Sequence, residues 1–216
     1  MLRRLIPEGI FLSIACGCAH DQVRSTPPQL TDLHQLDPSL VLDLRYASPN
    51  NFTGKVLYPE ALALLLKEPA IRLIEAHRKL SAQGLGIVIY DAYRPWSVTQ
   101  ILWQTATPDQ RRLGFVADPA QGSMHNRGCA VDVGLYDRKS GQKVEMPSDF
   151  DEFSARSFSD YSGGSTAARA HSRLLRTAME SSGFVVLPEE WWHFSFKGCE
   201  HEPLLNLDFK GRPFAP

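Results

Sequence analysis

Two stretches, "GSMHNRGCAVD" (122–132) and "PEEWWHFSF" (188–196), concentrate side chains that bind cations and move protons. His125 and Asp132 stand on either side of Gly128, ahead of an apolar, strand-like run. Imidazole nitrogen and carboxylate oxygen are donors that zinc takes, and three such donors leave a fourth position for water. His193 completes His125 and Asp132 as a set of three. Glu190, close by in the chain, is suited to accept a proton as water attacks. Each residue also has a structural alternative: a capping Asp, a solvated or ordinary strand His, a surface Glu. The two stretches together favour the metal reading over either one alone.

A third stretch, "YDAYRP" (90–95), sets Arg94 where a strand ends and Pro95 opens a helix. A guanidinium there suits the oxyanion of a tetrahedral intermediate or the carboxylate of a substrate. A structural salt bridge is its alternative.

Positioning these groups is a task for strands. From Cys129 on, Val131, Val133 and Leu135 share one face, while Ala130, Asp132 and Gly134 share the other. Asp132 therefore has small neighbours, and Gly128 allows a close chain approach just before it. Positions 190 and 193 face opposite sides of a regular strand, so both reach one cation only if the chain bends near Trp191. "LVLDLRY" and "LGIVIYD" read as strands, and "CAVDVGLYDRKSGQKVEM" reads as a hairpin turning at "DRKSG". "FVVLP" and "WWHFSFK" close the core as two more strands. Residues 59–84 read as two helices, with Pro59 and Pro69 in first turns and Gly84 as the stop. His77 in this stretch is a packing or surface histidine. Another helix follows Pro95, and Ser165 caps one that Gly183 ends. This order predicts an α+β domain with a central, mostly antiparallel sheet and flanking helices.

At 216 residues the chain suits a single domain. A formal net charge of −1 argues against nucleic acid as partner, and Trp191 and Trp192 read as core and pocket wall. No apolar run reaches the roughly 20 residues of a membrane span. Residues 1–19 pair Arg3 and Arg4 with an apolar stretch, the order of an export signal, and predict a periplasmic or cell-envelope location, with a cytoplasmic one as alternative. Cys16 or Cys18 would serve a lipid anchor. Residues 20–39 read as a linker and 40–216 as the domain. Cys129 and Cys199 are a pair that an oxidising compartment could bridge. His201 in "CEHEP" reads as a solvated loop residue.

These motifs resemble those of the zinc D-alanyl-D-alanine dipeptidases, the vancomycin-resistance type within the LAS family of D,D-peptidases, whose fold is Hedgehog-like. The family pattern S-x-H-x-x-G-x-A-x-D is met by Ser123, His125, Gly128, Ala130 and Asp132, and E-W-W-H by Glu190 to His193. "LRYASPNNFTGKVLY" resembles the family's N-terminal signature, "YDAYRP" its arginine-bearing strand, and "MPSDFDEF" its M-G-S/T-x-F-D loop, with Pro147 in place of the glycine. The resemblance implies one zinc held by His125, Asp132 and His193, with Glu190 as base and Arg94 at the oxyanion. It implies a substrate pocket lined by Tyr46, Asp91, Ser123 and Asp151, whose acids suit a free ammonium. The expected reaction is hydrolysis of D-Ala-D-Ala. A zinc D,D-carboxypeptidase trimming peptidoglycan stem peptides and a silent cell-wall-binding module are the alternatives. Oligomeric state is left open.

Overall fold

The structure is a computed structural model that describes residues 28–214. The expected export segment, with Cys16 and Cys18, lies outside the described residues. In chain order the elements are β1 (Leu30–Asp32), α1 (Leu33–Leu36), β2 (Val41–Leu42), β3 (Leu64–Leu66), α2 (Lys67–Ser81), β4 (Leu85–Asp91), α3 (Trp96–Thr105), α4 (Pro108–Arg112), β5 (Ala130–Asp137), α5 (Thr166–Glu180), β6 (Phe184–Leu187) and β7 (Glu190–Phe196). Five strands form one sheet in the order β2-β4-β5-β7-β6, and only β2 runs parallel to its neighbour. The α+β class with a mostly antiparallel sheet is as the sequence predicted. No helix among the described residues is long and apolar enough to cross a membrane.

α2 and α5 pack on the sheet and on each other. α2 buries Leu73, Ile74, Ala76 and Leu80, and α5 buries Leu175, Ala178 and Met179. Each large aliphatic side chain so buried contributes roughly 1.5–3 kcal/mol. The Ser165 hydroxyl accepts from the Ala168 N–H to start α5, and Gly183 at φ 96° follows its end, as expected.

Two expectations are corrected. Residues 59–66 are not helical: Leu64–Leu66 pair antiparallel with β1, and the helix starts at Lys67. "ALALLL" is apolar without a clear helical period, so the partner strand decides. That partner lies in the stretch expected to be linker. Leu33 and Leu40 are fully buried or nearly so, and the Leu33 N–H bonds to the Ala63 carbonyl, so the domain already includes residues 30–39. The expected hairpin after β5 turns at Asp137–Gly141, but its return arm makes only a bridge, Tyr136 with Lys143.

Gly128 has φ 68° and carries a carbonyl that accepts from the Leu66 N–H at 2.8 Å. A Cβ there would lie 2.7 Å from Leu30 Cδ2 and 3.3 Å from the Leu66 nitrogen, so only glycine lets β1 and β3 close under the turn before β5.

Candidate metal centre

Register explains how distant residues meet. Asp132 on β5 lies directly opposite His193 on β7, so both side chains leave the sheet on one face. Two irregularities flank that pair. Between β4 and β5 the register shifts after Ile89, which brings Asp91 opposite Asp132. Between β6 and β7 it shifts after Val186, leaving Trp191, Trp192 and His193 without partners on β6. This is the bend that the sequence required near Trp191. Glu190 Oε2 thereby comes to 3.9 Å from His193 Nδ1.

His125 stands in the turn of 3-10 helix His125–Arg127 just before β5. Its Nδ1 lies 2.6 Å from the Ala92 carbonyl oxygen, which can only accept, so Nδ1 holds the proton and Nε2 offers a lone pair. His193 Nε2 lies 3.0 Å from Ser195 Oγ, a hydroxyl that can accept from the Nε2–H and so leave the Nδ1 lone pair free for a metal. His125 Nε2, His193 Nδ1 and Asp132 Oδ1 then form a triangle with sides of 3.0, 3.1 and 3.3 Å. Ligand atoms on a tetrahedral zinc with bonds of about 2.0–2.1 Å stand about 3.3–3.4 Å apart. The three residues are at most 9% exposed. Two imidazole lone pairs and a carboxylate aimed at one point repel without a cation between them, so the donor set fits a divalent metal.

A cavity of about 270 Å³ opens beside this triangle, lined among others by Tyr46, Arg94, Ser123, Asp151, Glu190 and Trp192. Burial, then the charges of Asp132 and Asp151, push the Glu190 carboxyl well above its ordinary pKa. Asp151 rises to about 7, chiefly through burial and next through Asp132. It is the only non-glycine residue with positive φ among the described residues, at 59°, a conformation that Asp tolerates better than most. The Tyr46 hydroxyl donates to its Oδ2 at 3.1 Å. Ser123 lies at the cavity wall, where its hydroxyl accepts from the His125 N–H at 3.2 Å.

Asp91 is corrected. It is fully buried and absent from the cavity wall, so it is not placed to touch a substrate. Its Oδ2 accepts from Arg94 Nε at 2.9 Å and pairs with Nη2 at 2.7 Å, and its Oδ1 accepts from the Tyr58 hydroxyl at 2.7 Å and the Ala92 N–H at 2.9 Å. Burial works to lower the Arg94 pKa, but Asp91 and further anionic or phenolic neighbours outweigh it, so the guanidinium stays charged. The Arg94 head also stacks on Tyr46, 5.2 Å from its ring centre.

Three supporting residues escaped the sequence reading. Buried Asn126 donates to the Arg94 carbonyl and to Thr99 Oγ1, each at 2.8 Å, and so ties the His125 turn to the arginine. Ser195 orients His193, and its place two residues on along a strand was a usable signal. Tyr58 holds Asp91; it ends the stretch that resembles the N-terminal signature but was not singled out there. Cys129 and Cys199, a pairing the sequence left open, are disulfide-bonded, and His201 is exposed, as expected.

Residues 27–206 match a peptidase family model described as D-ala-D-ala dipeptidase, Peptidase_M15. The chain is 38% identical over 185 residues to a D-alanyl-D-alanine dipeptidase of Escherichia coli (strain K12), covering 86% of this chain and 93% of that one. A D-alanyl-D-alanine dipeptidase of Enterococcus faecalis (strain ATCC 700802 / V583) is 33% identical over 70% of this chain and 83% of its own. Among solved structures, the LdcB LD-carboxypeptidase superposes with a TM-score of 0.46 and 14% identity, over 82% of this chain and 73% of that one. From the family match and these identities, the chain belongs to the D-Ala-D-Ala dipeptidase family of M15 peptidases and is a peptidase.

Proposed function

We propose that the chain hydrolyses D-Ala-D-Ala to two D-alanines, with one zinc held by His125, Asp132 and His193. The observation that carries this reading is the triangle of three donor atoms, 3.0–3.3 Å apart, with the Glu190 carboxylate 3.9 Å from one of them inside a small cavity. Zinc, when bound there, supplies Lewis-acid polarisation and positive charge that favours ionised carboxylates beside it. Glu190 takes a proton from the attacking water and returns it to the leaving amine. Arg94, held charged by Asp91, faces the negative charge that develops on the carbonyl oxygen. Asp151, with the Tyr46 hydroxyl on its Oδ2, receives the free ammonium of the dipeptide, and Ser123 shapes the wall next to His125. A carboxyl with a pKa raised to about 7 gains from a cation beside it.

The Cys129–Cys199 bond supports an oxidising compartment, and with it the periplasmic or cell-envelope location that the N-terminal sequence suggests. The test of the catalytic reading is Glu190→Ala, assayed with D-Ala-D-Ala and by zinc content. Turnover should vanish while about one zinc per chain stays bound. A variant that turns over at the parent rate removes Glu190 from the mechanism.

A further inference from the structure

Three loops meet beside the cavity. Among the described residues, no hydrogen bond or ion pair joins residues 48–56, 113–117 and 152–158 to one another. They touch instead through aromatic rings. Phe52 and Phe115 line the cavity, one from the first loop and one from the second. Phe153, from the third, does not line it but packs against both, with ring centres 5.2 Å from Phe52 and 5.3 Å from Phe115. Phe158 backs Phe115 at 6.4 Å.

The first half of the third loop is firmly held. The Trp191 indole N–H donates to Ser148 Oγ at 2.9 Å, Phe150 packs edge-on against Trp192, and Asp151 accepts from Tyr46. Asp151, which also lines the cavity, is only two residues before Phe153, so the group facing the substrate's amino end and the ring linking the loops are joined by a short backbone. A further residue on the amino side of a substrate would extend past Asp151 toward Phe52, which lines a second pocket with it, and toward Phe115, which Phe153 links to Phe52.

From this arrangement we infer that Phe153 is the keystone of an aromatic clasp that sets the length of peptide the site admits, a specificity role resting on the peptidase reading above. Phe153 touches no reacting atom; it is a positioning residue that holds Phe52 and Phe115 across the amino end of the cavity. The volume of about 270 Å³ accords with this, since pockets for drug-sized ligands run from about 300 to 1,000 Å³. Ring packing alone, without hydrogen bonds between the loops, also lets the loops part for substrate entry and product release.

The test compares Phe153→Ala with the parent zinc enzyme on D-Ala-D-Ala and on Gly-D-Ala-D-Ala, alongside backbone hydrogen exchange by mass spectrometry. The ratio of kcat/KM for the tripeptide to that for the dipeptide should rise on the order of tenfold in Phe153→Ala and return toward the parent value in Phe153→Tyr. Exchange should rise together in residues 48–56 and 113–117, not only around 153. An unchanged ratio in a folded variant overturns the inference, as does exchange confined to the third loop. A parent enzyme that already prefers the tripeptide also overturns it, while leaving the hydrolase reading intact. A parent that cleaves neither peptide sinks the dipeptidase reading, and the exchange pattern still decides whether the clasp exists. Should Phe153→Ala not fold, Phe153→Leu carries the same comparison with a smaller expected rise.

Discussion

Replacing Asp91 separates two roles that the sequence could not tell apart, binding the substrate and holding Arg94. The carboxylate is fully buried, accepts three hydrogen bonds, from Arg94 Nε, Tyr58 and Ala92, and forms an ion pair with Arg94 Nη2. In Asp91→Ala the guanidinium keeps Asp132, at 3.7 Å, as its remaining carboxylate, and the Tyr58 hydroxyl and Ala92 N–H lose their acceptor. Removing one partner of a buried ion pair costs about 3–5 kcal/mol. Each stranded donor costs a further ~1–3 kcal/mol where water cannot reach it. These terms overlap, so the expected loss is about 4–6 kcal/mol, a large share of the ~5–15 kcal/mol that stabilises a domain. Asp91→Asn keeps the shape and one oxygen for Tyr58 and Ala92 but loses the charge facing Arg94. It should cost about 2–4 kcal/mol and remain folded. With Arg94 free to move, kcat should fall about 10²–10³-fold, with a smaller change in KM. Urea denaturation of the zinc-loaded protein and steady-state kinetics on D-Ala-D-Ala read both quantities. A variant of parental stability whose KM alone rises would mean that Asp91 contacts the substrate, and the reasoning here would be refuted.

Other perturbations test the supports of the site. Ser195→Ala removes the partner of His193 Nε2 and should weaken zinc binding about 10–100-fold, read by competition with a chelator, because the imidazole loses its orientation. The Cys129–Cys199 bond closes a loop with a sequence separation of 70, so Cys129→Ser with Cys199→Ser should cost about 4 kcal/mol in denaturation; a loss under about 1 kcal/mol would show that the unfolded chain is little constrained by it. His77 Nδ1 accepts from the Ile87 N–H at 3.1 Å, so its proton sits on Nε2 and is donated to Ser39 Oγ, which in turn donates to Asp37. Burial, opposed by the Asp37 charge, lowers the His77 pKa below its ordinary value. The unfolded chain then binds the extra proton first, so this contribution to stability is complete above about pH 6.5 and is lost as pH falls below it. The stability difference between parent and His77→Gln should shrink from pH 7.5 to pH 5, by at most about 1.4 kcal/mol per pH unit; a constant difference would show that folding does not lower the His77 pKa.

The candidate site was legible in the sequence because a donor set and a base depend on residue type and short spacing. His125, Asp132, Glu190 and His193 stood out as donors and base, and the alternation along 129–135 put Asp132 on the face with small neighbours. Helix α5 was legible for a similar reason, since Ser165 and Gly183 mark its ends locally. Where a short segment lacked such marks the reading failed. Residues 64–66 became a strand because β1 was there to pair with them, and β1 lay in a stretch whose composition suggested a linker.

What tertiary structure alone decided is the convergence. Asp132 and His193 are far apart in the chain, and nothing near either one specifies that they stand opposite each other on neighbouring strands. Nor does local sequence specify the two register shifts that set Asp91 opposite Asp132 and bring Glu190 near His193. Strand register is set by which apolar faces can be buried together over the whole sheet, a sum of contacts between distant residues. The role of Asp91 was decided the same way. The resemblance placed its carboxylate on the substrate pocket, whereas packing buries it away from the cavity wall and against Arg94.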